Sequence, residues 1–295
     1  MFGPSSINWC ELDYVNSEFI AEYWNTLTGL FLCASSIYAS IKNNGYKSLY
    51  YSNILLFFVG IGTMMFHGTL IYIWQLLDEI PMMLIVIEYY RILTNDIFLT
   101  HFVRLKIIDY YTLYYSIPFI ILSYYIHPQL QVILFQGSLM LCIILLLYTC
   151  YTINTNLNKI FYTRYPFNYV DKEAYVYYKT ESDVELLPNY KKHKRRRTTK
   201  RTYNLDGNNH VIDTTNSFNE FKTYSKVKKH IRYHNYQGLF LLFFSLLIWN
   251  IDNHFCQHDI ELHAIWHITT SIGMYSCNEI IRSFIILNKQ LVQKQ

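Results

Sequence analysis

Long apolar stretches recur along this chain of 295 residues, separated by short polar turns. A helix needs roughly 20 apolar residues to cross a bilayer. Residues 137–149 (GSLMLCIILLLYT) lack the polar stripe that a soluble amphipathic helix shows about every 3.6 residues. The pattern therefore predicts an all-α polytopic membrane protein, a seven-transmembrane helix bundle. The predicted spans are approximately residues 19–41, 49–67, 80–99, 108–126, 129–151, 236–252 and 262–287.

These spans divide the chain into three parts. Residues 1–151 hold an N-terminal segment and the first five spans, and residues 236–295 hold the last two spans and a tail. Between them, residues 152–235 form a polar insert whose composition predicts disorder. The insert contains the basic run KKHKRRR at 191–197. We interpret this run as a solvated loop, with binding of anionic lipid or a mimic of a nuclear-import signal as alternatives.

The basic residues favour one orientation of the bundle. Seventeen of the 25 Lys and Arg residues lie in the insert, and the loops on the opposite side contain acidic residues but no Lys or Arg. The positive-inside rule places the N-terminus in a lumen or outside the cell and the C-terminus in the cytosol. Residues 1–18 resemble no cleavable signal peptide, so we expect the first span to direct insertion. A polytopic membrane protein is not expected to bind nucleic acid.

Three histidines fall in apolar sequence near the predicted lumenal face. His67 ends the second span, and His263 and His267 begin the seventh. Residues at i and i+4 share a helix face, so one helix can present both His263 and His267 to a single ion. Ionisable side chains at membrane depth are rare and usually functional. The three imidazoles predict a catalytic zinc site with one position open to water, and three structural histidines are the alternative.

Two further polar residues fall at the same predicted depth. Thr63 precedes His67 by four residues and so faces the same site. Asp78 follows the turn after the second span, and we expect it to return to the site as the third span begins.

Two other histidine pairs share the i, i+4 spacing: His230 with His234, and His254 with His258. The first pair flanks the insert and the second lies in the loop before the last span. Neither pair is embedded in apolar sequence, so we interpret both as surface residues.

Oxygen-bearing side chains are grouped near the N-terminus: Asn8, Glu11 and Asp13, with Glu22 at the mouth of the first span. Calcium takes six to eight oxygen ligands from carboxylates, amides and carbonyls. These residues predict a calcium site completed by a backbone carbonyl such as that of Trp9. Ordinary lumenal carboxylates, with Glu22 at a helix start, are the alternative.

Two cysteines, Cys10 and Cys256, fall on the predicted lumenal side, where disulfides persist. We expect them to form a bridge, with two free thiols as the alternative. The other four cysteines lie within spans and are expected to be packing residues.

Four sequence blocks, in order, resemble the alkaline ceramidases, seven-helix zinc amidases of a superfamily shared with the adiponectin and progestin receptors. The blocks are WCELDYVNSEFIAEYWNT at 9–26, GIGTMMFHGTLIYIWQLLDEIPM at 60–82, NIDNHFC at 250–256 and HAIWHITTSIG at 263–273. The resemblance implies that the three histidines hold zinc and that Asp78 is the catalytic carboxylate. It places Cys10 and Cys256 on the family's disulfide positions. Its calcium positions correspond to Asn8, Trp9, Glu11, Asp13 and Glu22.

This chain departs from the family's pattern in three places. Thr63 stands where the family usually has serine, which keeps the hydroxyl and adds a methyl group. Asn8 and Asp13 have exchanged the family's acid and amide, so the total ligand charge is kept. The insert 152–235 is much longer than the family's usual connection.

The resemblance implies hydrolysis of the amide bond of ceramide to a sphingoid base and a fatty acid, in the endoplasmic reticulum or Golgi membrane. Asp78 is expected to move protons between water and the leaving amine, and zinc with Thr63 to stabilise the oxyanion. The alternatives are a related membrane hydrolase for another lipid, a seven-helix receptor with structural zinc, and a transporter or scaffold without zinc.

Overall fold

The computed structural model describes residues 3–96, 110–164, 214–252 and 261–292. Within those residues it contains seven α-helices and no strand beyond one isolated bridge, which confirms the all-α class. The direction in which the termini face stays a prediction. The helices are Tyr23–Lys42 (α1), Lys47–Thr69 (α2), Tyr72–Arg91 (α3), Tyr110–Ile126 (α4), Pro128–Arg164 (α5), Thr214–Asp252 (α6) and Leu262–Val292 (α7).

The chain forms two compact units. One consists of Met1–Asn156 together with Val227–Gln295, and the other of Leu157–Lys226. In the first unit α1 packs against α2 and α7, and α2 also packs against α3. Every site described below lies within this first unit.

Two glycines of α2 allow its neighbours to approach closely. A Cβ atom on Gly60 would lie 2.8 Å from the main-chain nitrogen of Cys33 in α1. A Cβ atom on Gly62 would lie 2.5 Å from the main-chain nitrogen of Asp78 in α3. Because main-chain atoms cannot move aside as flexible side chains can, only glycine fits at these crossings. The crossings bring α1 and α3 against the part of α2 that carries Thr63.

The N-terminal segment crosses the end of α2. The main-chain N–H of Ser5 donates to the carbonyl of Leu70 at 2.9 Å, and that of Glu22 donates to the carbonyl of His67 at 3.0 Å. Glu22 also directly precedes α1, so its side chain is held where α1 begins and α2 ends.

Two segments are long and apolar enough to cross a membrane by length and composition, Leu49–Thr69 in α2 and Pro128–Ile153 in α5. No other described helix contains such a segment, although seven spans were predicted. Helices α1, α3 and α7 bury polar side chains such as Asn25, Asp78 and Glu279, which lower their mean hydropathy.

Helix α3 begins at Tyr72 rather than at residue 80 as predicted. Asp78 and Glu79 therefore lie in a helix and not in a turn. Both side chains are buried, 5% and 6% exposed. Polar partners make this burial possible, since Glu79 accepts hydrogen bonds from the side-chain amides of Gln75 and Gln131 at 2.8 and 2.5 Å. Because Asp78 and Glu79 are both acidic, the apolar pattern did not indicate that the helix begins before them.

The insert expected to be disordered, 152–235, is helical at both ends. Helix α5 continues to Arg164 and α6 begins at Thr214. Neither flank contains the glycine or proline that would end a helix. Residues 165–213, with the basic run, lie outside the described residues, so disorder there stays a prediction.

Candidate metal centre and active site

Three histidines from two helices meet in the interior of the first unit. His67 lies in the last turn of α2, and His263 and His267 lie in the first two turns of α7. Each offers one ring nitrogen, and these atoms all lie within 4.8 Å of one another. All three side chains are buried. The structure thus brings together the three residues that the sequence grouped.

One ring nitrogen of each histidine is buried without a hydrogen-bond partner: Nε2 of His67, Nδ1 of His263 and Nε2 of His267. Buried polar atoms in folded proteins nearly always have a partner. Three unpartnered imidazole nitrogens in one cluster are the donor set that a metal ion would complete.

The second ring nitrogen of two of these histidines is held by a neighbouring side chain. Nδ1 of His67 lies 2.5 Å from Oε2 of Glu22, and Nδ1 of His267 lies 2.8 Å from the hydroxyl of Thr28. Metal-binding histidines commonly use the second nitrogen in this way, which fixes the ring and leaves the first nitrogen free. The sequence suggested calcium binding or a helix start for Glu22 and gave no sign of Thr28.

The third ring, that of His263, is covered by aromatic side chains. The Trp9 ring stacks on it with centroids 3.7 Å apart and an interplanar angle of 17°. Trp266 lies on α7 with its ring centroid 5.1 Å from that of His263. These rings remove the cluster from solvent.

Thr63 and Asp78 form a second polar group near His67. The Thr63 hydroxyl lies 2.6 Å from Oδ1 of Asp78 and 2.8 Å from the main-chain oxygen of Val59. A hydroxyl has one proton to donate, so Thr63 donates to Asp78 when that carboxyl is ionised. This geometry favours a positioning role for Thr63 over the oxyanion role expected from the sequence. Asp78 is also near enough to His67 for the two to interact electrostatically.

Glu11, expected to bind calcium, caps the N-terminus of α1. Its two carboxylate oxygens accept hydrogen bonds from the main-chain N–H groups of Trp24 at 2.6 Å and Asn25 at 2.8 Å. These are N–H groups that a helix leaves unsatisfied at its first turn. Burial raises the pKa of Glu11, although the two N–H donors oppose that rise.

The contacts among the other expected calcium residues are pairwise. Oε1 of Glu22 accepts from the main-chain N–H of Trp9 at 3.1 Å, and the side-chain amide of Asn8 donates to Asp13 at 3.3 Å. Because Glu22 contacts both this segment and His67, it links the expected calcium site to the histidine cluster. A calcium ion here stays a prediction.

The predicted Cys10–Cys256 disulfide involves a residue outside the described part of the chain and stays a prediction. The sulfur of Cys10 lies 3.0 Å from the main-chain oxygen of Asp252, at the end of α6. The cysteines within the helices are free and buried: Cys33, Cys142, Cys150 and Cys277.

The interpretation of His230 and His234 as surface residues is wrong for His234, which is only 6% exposed. Ring nitrogens of both histidines lie within 4.8 Å of a carboxylate oxygen of Glu279. The sequence contained one indication of this contact, because Glu279 is an acidic residue within the apolar seventh span. His254 and His258 lie outside the described residues.

An apolar cavity lies between the helices beside the histidine cluster. Trp249 and Trp266 line it together with aliphatic side chains such as Leu32, Val59 and Leu139. The Trp266 ring also lies 5.1 Å from that of His267. Trp266 therefore contacts both the cavity and the histidine cluster.

Comparison with known proteins places this chain in a family. The ceramidase family profile matches residues 3–295. Alkaline ceramidase YPC1 of Saccharomyces cerevisiae is 45% identical over 83 residues, covering 26% of this chain and 26% of that protein. Alkaline ceramidase 3 of Mus musculus is 40% identical over 86 residues, covering 28% of this chain and 32% of that protein. These alignments thus span a quarter to a third of each relative, whereas the family match runs nearly the whole length. The chain belongs to the ceramidase family.

Proposed function

We propose that this protein is a membrane-embedded, zinc-dependent amidase that hydrolyses ceramide to a sphingoid base and a fatty acid. The observation that carries the proposal is the cluster of buried, unpartnered ring nitrogens on His67, His263 and His267. It occurs in a chain of the ceramidase family, whose similar relatives are named alkaline ceramidases.

The cluster fits zinc. Catalytic zinc sites use three protein ligands and keep a fourth position open, and imidazole nitrogen is a common ligand. Glu22 and Thr28 hold the second nitrogens of His67 and His267, so the rings are oriented before an ion binds. When bound, zinc would supply Lewis-acid activation of a water molecule and of the amide carbonyl.

Asp78 is the residue that we assign to proton transfer. Hydrolysis forms a carbon–oxygen bond to the acyl carbon and breaks the carbon–nitrogen bond, and the departing nitrogen needs a proton. Asp78 accepts a proton from the attacking water and delivers it to that nitrogen. Thr63 keeps Oδ1 of Asp78 in place from 2.6 Å, which leaves Oδ2 to exchange the proton.

The outer surfaces of the helices support a position in the bilayer. Large apolar side chains are exposed on helices α1, α2, α4, α5 and α6, where water would disfavour them. A soluble monomer rarely exposes contiguous apolar surface of this kind, whereas lipid chains would cover it. Examples are Phe31, Ile41, Phe58, Phe119, Ile133 and Phe243.

The apolar cavity beside the cluster supports a lipid substrate. Its lining is almost entirely aliphatic and aromatic, so it suits a hydrocarbon chain rather than a polar ligand. A ceramide chain lying along Trp266 would bring its amide toward the histidines, since that ring contacts both the cavity and the cluster.

Four further parts of the proposal rest on the sequence, the local contacts and the family resemblance. A calcium ion held by the N-terminal segment would brace Glu22, and a Cys10–Cys256 disulfide would fix that segment near the end of α6. The distribution of Lys and Arg supports a lumenal N-terminus. The endoplasmic reticulum or Golgi is the expected membrane.

The test uses purified full-length protein, its His267→Ala variant and a matched His127→Ala control. His127 is an exposed histidine between α4 and α5. Each is incubated with a panel of ceramides, and released sphingoid base and fatty acid are measured by mass spectrometry. We expect equal release by wild type and His127→Ala, and a loss of about 10²-fold or more in His267→Ala. Equal release by all three proteins would overturn the proposed mechanism. Hydrolysis of other lipid amides but not of ceramides would overturn the assignment of ceramide as the substrate.

A further inference from the structure

A second group of ionisable side chains lies at the other end of α7. Glu279 follows His267 by 12 residues, which corresponds to about 18 Å along a helix. His230 and His234 on α6 face it, and Lys42 at the end of α1 reaches it. Three helices thus meet at one carboxylate that the amidase chemistry does not use.

The two histidines and Glu279 have the geometry of a ligand set. Nε2 of His230 lies 3.0 Å from Oε2 of Glu279. The rings of His230 and His234 are one helical turn apart, with centroids 4.4 Å from each other. One ligand atom from each of the three residues lies within 4.8 Å of the other two.

Two polar atoms in this group are buried without a partner. They are Nδ1 of His234 and Oε1 of Glu279. Glu279 is fully buried and His234 is 6% exposed, so water cannot readily satisfy either atom. An unpartnered nitrogen and an unpartnered carboxylate oxygen in the same cluster point to a missing cation.

We propose that His230, His234 and Glu279 bind a divalent transition-metal ion, best matched by zinc, at a site separate from the catalytic cluster. Two imidazole nitrogens and one carboxylate oxygen are ligands that zinc accepts. The His230 side chain is 37% exposed, so water can enter and complete the coordination. The ion would join α6 to α7 at the end of the bundle opposite the catalytic cluster.

Two cationic side chains lie beside this site and affect its affinity for zinc. Lys42 lies 3.2 Å and Arg282 lies 2.5 Å from Oε2 of Glu279. They contact the same oxygen as His230 and leave Oε1 without a partner. They also repel a dication, so this site binds zinc more weakly than the catalytic cluster. Lys42 also donates to the hydroxyl of Tyr275.

The test measures zinc per chain on full-length protein in detergent. The protein is stripped with a chelator, reloaded with zinc, freed of excess ion and analysed by inductively coupled plasma mass spectrometry. We expect about two ions per chain for wild type and for His127→Ala, one for His267→Ala and one for His230→Ala. His230 is half-exposed, so its substitution leaves the packing of the bundle intact.

The outcomes separate this site from the catalytic one. A single ion that is lost in His267→Ala but kept in His230→Ala overturns this proposal and leaves the proposed function standing. A single ion that is lost in His230→Ala but kept in His267→Ala supports this site and overturns the catalytic cluster. No bound zinc overturns both.

A second variant tests the position of the ion without removing a ligand. Lys42→Met keeps the apolar part of the side chain and removes the positive charge. Zinc titration of the weaker site in Lys42→Met is expected to show a dissociation constant at least about tenfold lower than in wild type. An unchanged or higher constant contradicts an ion beside Glu279.

Discussion

The close approach of α2 and α3 at Gly62 leads to a sharp prediction, because it places Asp78 beside Thr63. In the Gly62→Ala variant the new Cβ would lie 2.5 Å from the main-chain nitrogen of Asp78 and 2.6 Å from the main-chain oxygen of Leu77. Ordinary contacts begin near 3.4 Å. Helix α3 must therefore move away by about 0.9 Å, because main-chain atoms cannot rotate out of the way.

The expected cost has two parts. Overpacking of this kind destabilises a folded protein by about 1–3 kcal/mol. A displacement of about 1 Å at a catalytic group also lowers the rate by about 10²-fold, or roughly 2.7 kcal/mol in transition-state stabilisation. We expect Gly62→Ala to lower both the melting temperature in detergent and the kcat for ceramide hydrolysis.

Gly137→Ala is the matched control. Gly137 lies within α5, and a Cβ atom there would have no neighbour within 4 Å. Alanine should improve the helix by about 1 kcal/mol, so this variant should be as stable as wild type or slightly more, with unchanged kcat. If the two glycine variants behave alike by thermal unfolding and product release, the close contact between α2 and α3 does not position Asp78.

Four further substitutions, at three positions, test the polar groups around the cluster. Asp78→Asn should keep zinc and fold normally but lose about 10²–10⁴-fold in kcat, and normal turnover would exclude Asp78 as the proton carrier. Thr63→Ser should retain most activity because the hydroxyl remains, whereas Thr63→Val should lose it; equal activities would show that the hydroxyl has no role. Glu22→Gln should weaken zinc binding about 10–100-fold by releasing the His67 ring, measured by competition with a chelator, and an unchanged affinity would contradict that support.

The histidine cluster could be predicted from the sequence because two simple rules apply to it. His263 and His267 share a helix face through their spacing, and both lie in apolar sequence where ionisable groups are rare. The all-α class follows equally directly from the length of the apolar stretches. In both cases the information is local in the chain.

Other features depend on contacts between distant residues. The predicted start of α3 was too late because Asp78 and Glu79 are acidic and therefore interrupt the apolar pattern. Their burial is possible only because Thr63, Gln75 and Gln131 donate hydrogen bonds to them. Gln75 precedes Glu79 by four residues in α3, but Thr63 and Gln131 come from α2 and α5, and no local pattern indicates them.

The position of His234 was missed for the same reason. The sequence around it is polar, but α6 continues through that region and turns His234 toward Glu279 on α7. The role of Thr28 beside His267 likewise depends on how α1 packs against α7.

Removing and restoring the metal tests directly whether ceramide hydrolysis depends on zinc held by the three histidines. Wild-type protein is stripped with a chelator, and ceramide hydrolysis is followed while zinc is added back, alongside the folded His267→Ala variant. We expect stripped wild-type protein to be inactive, added zinc to restore turnover, and His267→Ala to stay inactive at every zinc concentration. Full ceramide hydrolysis by stripped protein, or by His267→Ala, would contradict it.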